Sequence, residues 1–105
     1  MIVKYIYDVV YDTLELLEEG GHTFPQAVTD LYDSLVSEGK ITDYSFTVNI
    51  DTVSRTNTIT YSDISAWQEH RDRYKIVSPN DYIVAGRTIT NQYLEDENGN
   101  KIYTE

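Results

Sequence analysis

In the stretch YDVVYDTLELLEEGG, residues 7–21, Asp8, Asp12, Glu15 and Glu19 follow one another at gaps of four, three and four. On an α-helix those gaps stack side chains along one face, about 5–6 Å apart. Between Lys4 and Lys40 the chain holds eight carboxylates and no lysine or arginine. Like charges that close weaken a helix by roughly 0.2–0.5 kcal/mol per pair, so local stability does not account for the row. Asp8, near the start, gains from the helix dipole, whereas Glu18 and Glu19 at the far end oppose it. Such a row offers attraction for a basic surface rather than bond-making chemistry. Asp30 and Asp33, expected on the exposed side of a second helix, extend it into a patch, with Tyr5 and Tyr11 as aromatic anchors beside it.

Other groups that could act chemically are sparse. His22 and His70 are the only side chains that titrate near neutral pH unperturbed. Glu69, His70 and Asp72 are neighbours in sequence, but helix neighbours diverge and only i,i+3 or i,i+4 pairs meet. A general base also needs a nucleophile, and neither a phosphate-cradling glycine loop nor a G-x-S-x-G elbow is present. These three residues are therefore expected on a solvated helix face, His22 in a polar loop, and neither histidine as essential, so that both tolerate alanine. The run DENGNK, residues 96–101, resembles the start of a calcium loop, but Lys101 stands where glycine is required. Asp8 and Asp12 alone would hold a hard cation weakly. No catalytic residue, metal ligand or cofactor is assigned.

The elements that must position the acids follow from periodicity. Val3, Ile6, Val10, Leu14 and Leu17 recur at helical gaps, which predicts a helix over residues 2–19; the β-branched residues at its start leave residues 2–7 open to a short strand. Gly20-Gly21 stops it. Thr23-Phe24-Pro25-Gln26 matches a capping box for a second helix, with Phe24, Val28, Leu31 and Leu35 inward, ended by Gly39 near Glu38. Two helices joined by so tight a link should pack as an antiparallel hairpin. Alternation then predicts a β-hairpin from residues 43–51 and 56–62. SDISAWQEHRDRY, residues 62–74, reads as a third helix with Ile64, Trp67 and Tyr74 on its apolar side. Pro79-Asn80 marks a turn, residues 82–94 are strand-like around Gly86, and Asn98-Gly99 turns a hairpin over residues 88–104. The expected fold is α+β in the order α-α-β-β-α-β-β, an acidic helical hairpin over 1–40 and a mostly antiparallel sheet of about four strands over 41–105. No repeats or linkers divide it, and 105 residues make one domain.

The net charge is −10, from 18 acids against 8 bases. Residues 1–54 hold ten acids and two bases, residues 55–105 eight and six. That field repels nucleic acid and anionic lipid and attracts basic protein. Ten tyrosines suit core margins and interfaces, but base-stacking surfaces need basic residues around them. No apolar run is long enough to span a membrane. The start MIVKYIYD lacks the core of a secretion signal, so Met1 is expected to be the native first residue, in a cytoplasmic protein (host cytoplasm if viral) without cysteine.

In composition and charge layout, though in no motif, the chain resembles DNA-mimic inhibitors, many of them small phage proteins directed against restriction or CRISPR systems. The resemblance implies carboxylates standing in for phosphates. The function expected is a non-enzymatic, acidic protein-binding module that occupies the basic groove of a nucleic-acid-binding enzyme, itself binding neither nucleic acid nor membrane, as a monomer or small homo-oligomer. The alternative is a small self-associating structural subunit, for example of a viral particle.

Overall fold

A strand, not a helix, opens the chain. The computed structural model describes residues 1–22, 26–74, 82–84 and 86–102. β1 (Val3–Tyr11) leads to α1 (Leu14–Gly20), α2 (Gln26–Ser37), β2 (Ile41–Asn49), β3 (Ser54–Tyr61), α3 (Ile64–Tyr74), β4 (Tyr82–Val84), β5 (Arg87–Asp96) and the two-residue β6 (Lys101–Ile102). The class is α+β. The order, however, is β-α-α-β-β-α-β-β before β6, and the expected N-terminal helical hairpin is replaced by a strand and two helices.

Two periods compete in residues 3–11. Counting aliphatic residues alone, Val3, Ile6 and Val10 fall at helical gaps; counting tyrosine as apolar, Val3, Tyr5, Tyr7, Val9 and Tyr11 alternate. Seven of the nine residues (those five with Ile6 and Val10) are β-branched or aromatic, types that fit a pleated surface better than a helix. The alternation prevails because β1 is a central strand, paired antiparallel with β3 on one side and β5 on the other. Its odd-numbered side chains join those of the helices in the core.

The sheet order is β2-β3-β1-β5-β4, antiparallel throughout, with β6 pairing β5. β1 connects through α1 and α2 to β2, beyond β3; β3 connects through α3 and β4 to β5, beyond β1. Two split β-α-β units therefore interlock, the topology of ferredoxin-like domains, with β4 and β6 added at one edge. The helices rest on strands: α1 on β1, α2 on β2, and α3 on β1 and β3. A sheet surface offers each helix more apolar area than a seven-residue α1 could offer α2.

The two strand-to-helix corners are built alike. Tyr11 and Tyr61 end their strands, and Thr13 and Asp63 cap the helices by accepting from the amides of Leu16 (3.1 Å) and Ala66 (2.8 Å). Four residues beyond each cap, Leu17 and Trp67 are fully buried. Leu17 joins Val9, Tyr11 and Ile89; Trp67 joins Tyr5, Tyr61, Leu35 and Leu94. Gly39 stops α2, as its sequence implies. At φ 77° it forms a Schellman motif, with Lys40 N–H on the Leu35 carbonyl and Gly39 N–H on that of Val36, both at 3.0 Å.

His70 departs from expectation. It is 1 % exposed, because it lies three residues after Trp67 and four after Ala66 on the same helical face. Its Nδ1 hydrogen-bonds the Tyr61 hydroxyl at 2.6 Å, and Tyr32 meets its ring edge-on at 5.9 Å. Burial lowers its pKa to about 4, so it is neutral at physiological pH. Alanine there would open a cavity and strip the Tyr61 hydroxyl of this hydrogen bond.

Gly86, at φ 78°, turns a hairpin between β4 and β5 in which Val84 pairs Arg87, so residues 82–94 are not one strand. The Asn98-Gly99 hairpin forms with a three-residue loop. Asp96 N–H meets the Asn100 carbonyl at 2.8 Å, and of the two central residues only Gly99 has positive φ. The proposed capping box at Thr23–Pro25, the turn at Pro79-Asn80, the strand end at Thr104, and the side-chain packing of Phe24, Val28 and Tyr74 lie outside what is described.

Candidate interaction surface

The acids read as one helical row are divided between the two faces of the sheet. Asp8 sits mid-strand in β1, pointing with Ile6 and Val10 away from the helices. One of its oxygens accepts from Thr56 Oγ1 at 2.7 Å, the other from Asn91 Nδ2 at 2.9 Å. Asp12 is exposed in the corner after β1, its amide bonded to the Gly86 carbonyl at 2.9 Å. Glu15 and Glu19 keep their gap of four on α1, both exposed, and Glu18 beside them meets His22 at 3.3 Å. Asp30 and Asp33 are exposed on α2.

The anchors assigned to Tyr5 and Tyr11 are corrected: the two are 1 % and 6 % exposed. As odd-numbered residues of β1 they point into the core, where Tyr5 donates to Gln92 Oε1 at 2.6 Å and packs against Trp67. The aromatic residue beside the acids is instead Tyr44, half-buried on β2. Its hydroxyl donates to Asp33 Oδ1 at 2.6 Å, and that bond raises its pKa above the usual phenol value. Asp30 similarly accepts from Gln26 Nε2 at 2.8 Å. Two of the helix carboxylates are thus oriented by neutral donors that leave their charge uncompensated. Among the described residues no lysine or arginine pairs with Glu15, Glu18, Glu19, Asp30 or Asp33; the cations Lys40 and Arg71 pair with Glu38, Glu69 and Asp72. A small cleft of about 210 Å³ at the end of α1 brings Glu19 near Arg87.

The opposite face of the sheet carries no helix among the described residues. β3 presents Ser54, Thr56, Thr58 and Thr60 there, β2 presents Asp43, Ser45, Thr47 and Asn49, and β5 presents Thr88 and Thr90. No motif in the sequence points to this face, although Thr56, Thr58 and Thr60 alternate visibly with Asn57 and Ile59. Among the described residues no group of three or more histidines and carboxylates is placed to hold a metal, and no helix is long and apolar enough to cross a membrane. No protein-family model matches this chain, and neither a curated protein nor a solved structure matches it.

Proposed function

We propose that this protein is a non-enzymatic binding module whose acidic helix layer docks against the basic surface of a nucleic-acid-binding protein, acting in the cytoplasm. The observation that carries the reading is the set of exposed carboxylates Glu15, Glu18, Glu19, Asp30 and Asp33 on two helices that contain no lysine or arginine. On α1 part of their placement works against the local structure. Glu15 and Glu19 repel at i,i+4, and Glu18 and Glu19 sit at the negative end of the α1 dipole. Two of them are held in orientation, by Gln26 and Tyr44, so less freedom is lost when a cation arrives. Imitation of nucleic acid is the finer form of the proposal. It rests on the charge of the helix layer, because the evenly spaced row from Asp8 to Glu19 is broken between a strand and a helix.

The test is affinity capture from a cell lysate at low salt, followed by elution with duplex DNA or with RNA. The reading expects basic nucleic-acid-binding proteins to be retained and then displaced by nucleic acid. Retention that nucleic acid does not disturb contradicts it.

A further inference from the structure

On the open face of the sheet, β1 and β5 fall out of step. Ile6 pairs Tyr93 and Asp8 pairs Thr90, so β5 carries one more residue than β1 across this interval. The extra residue is a β-bulge at Asn91, whose φ of 54° is left-handed. Asparagine tolerates that conformation better than most residues, but it still carries strain of a kind that clusters at ligand sites. The bulge turns the Asn91 side chain onto the same face as Asp8 and Tyr93. There they border a concavity of about 440 Å³, with Thr56 and Lys101. That size lies within the range of small-molecule sites, roughly 300–1,000 Å³.

The chemistry of the lining is specific. Asp8 is pinned by one donor on each oxygen, which leaves a lone pair on each oriented for a further donor. Lys101 Nζ lies 4.6 Å from the centre of the Tyr93 ring, and among the described residues no carboxylate is within ion-pairing distance of it. Burial, then Glu95 and Asp8, raise the pKa of Tyr93, which keeps its hydroxyl a neutral donor. In register, Lys4 and Lys101 both stand opposite Glu95. The charges at the site therefore nearly cancel, so neither an anion nor a cation finds net attraction.

Oriented acceptors, an available ammonium donor, an amide that does both, and an aromatic ring fit a neutral polyol with adjacent hydroxyls and an apolar C–H face. We propose that the concavity formed by Asp8, Thr56, Asn91, Tyr93 and Lys101 is a binding site for a neutral saccharide. It lies on the face of the sheet opposite the acidic helices and is independent of their partner.

The test is a titration of the full chain followed by amide NMR. The probes are glucose, galactose, mannose and N-acetylglucosamine, with maltose and cellobiose, and the charged sugars glucuronate and glucosamine as controls. At least one neutral sugar should shift the amides of Asp8, Asn91, Tyr93 and Lys101 saturably, with both charged sugars weaker by about tenfold. Tyr93→Ala and Asp8→Asn should each abolish those shifts. Lys101→Ala, at an exposed position where no fold is at stake, should weaken binding about fivefold or more. The proposal is overturned if no neutral sugar moves these amides, if a charged sugar binds as tightly, or if the Lys101→Ala protein responds as the parent does.

Discussion

The outward surfaces of α1 and α2 are dominated by carboxylates, while the open face of the sheet is dominated by threonine and serine, with Lys4 and Lys101 offsetting most of Asp8, Asp43 and Glu95. Both surfaces are polar, and the difference lies in what the polarity does for the fold. Threonine suits a strand because its branched side chain packs on the pleat, so a neutral hydroxyl face is what stable strands supply. On α1, Glu15 and Glu19 repel each other and Glu18 and Glu19 oppose the dipole, while Glu15 alone suits it, so the carboxylates contribute nothing comparable. Charge on the helix layer is separable from the fold; polarity on the sheet face is part of it.

The largest effect that sharpens this comparison lies between the two surfaces. Trp67→Ala removes the largest buried side chain on the helix side and should cost about 3–5 kcal/mol by urea denaturation, a large share of the roughly 5–15 kcal/mol that holds a domain folded. Thr58→Ala on the open face, on a strand paired at both edges, should cost about 0.5–1 kcal/mol, the strand preference of threonine over alanine.

Next comes His70. Its folded pKa of about 4 lies below its unfolded value of 6.5, so the unfolded chain binds a proton first. Stability is therefore complete above pH 6.5 and falls as pH drops towards 4, by an amount on the order of 2 kcal/mol after allowance for screening. Comparing the parent with His70→Gln over that range cancels the titration of the surface carboxylates; only the parent should show this loss.

Gly39→Ala should cost about 1 kcal/mol, because the left-handed φ of 77° is strained for any side chain even though the space there is open. A thermal melt read against the same change at Gly20, where no left-handed angle is required and the space is also open, isolates the backbone term.

Much of the fold is legible in local chemistry. The Gly39 stop, the third helix, the β2–β3 hairpin and the Asn98-Gly99 turn each rest on a signal that neighbouring residues carry. The first strand was hidden because tyrosine can be counted as apolar or polar, and only burial against Trp67 and Leu17 decides between periods of 2 and 3.6. His70 is ambiguous for a similar reason. Its charged neighbours suggest solvent, whereas its i,i+3 relation to Trp67 points inward. The Asn91 bulge has no local signature at all, since it is a mismatch between strands more than 80 residues apart. Of the candidate acids, those on α1 and α2 were legible as exposed because helix spacing holds there; Asp8 was not.

The claim that the acidic helix layer is an interaction surface is tested most directly by moving equal charge to two places. Glu15→Lys with Asp30→Lys alters the helix layer, and Asp43→Lys with Glu97→Lys raises the net charge by the same amount on exposed positions elsewhere. Both proteins should melt within a few degrees of the parent, since exposed charges contribute roughly 0–1 kcal/mol. Association with a captured basic partner, followed across a salt series, should slow steeply for the helix-layer variant and little for the other. Equal slowing in the two variants, or none in either, would contradict the account.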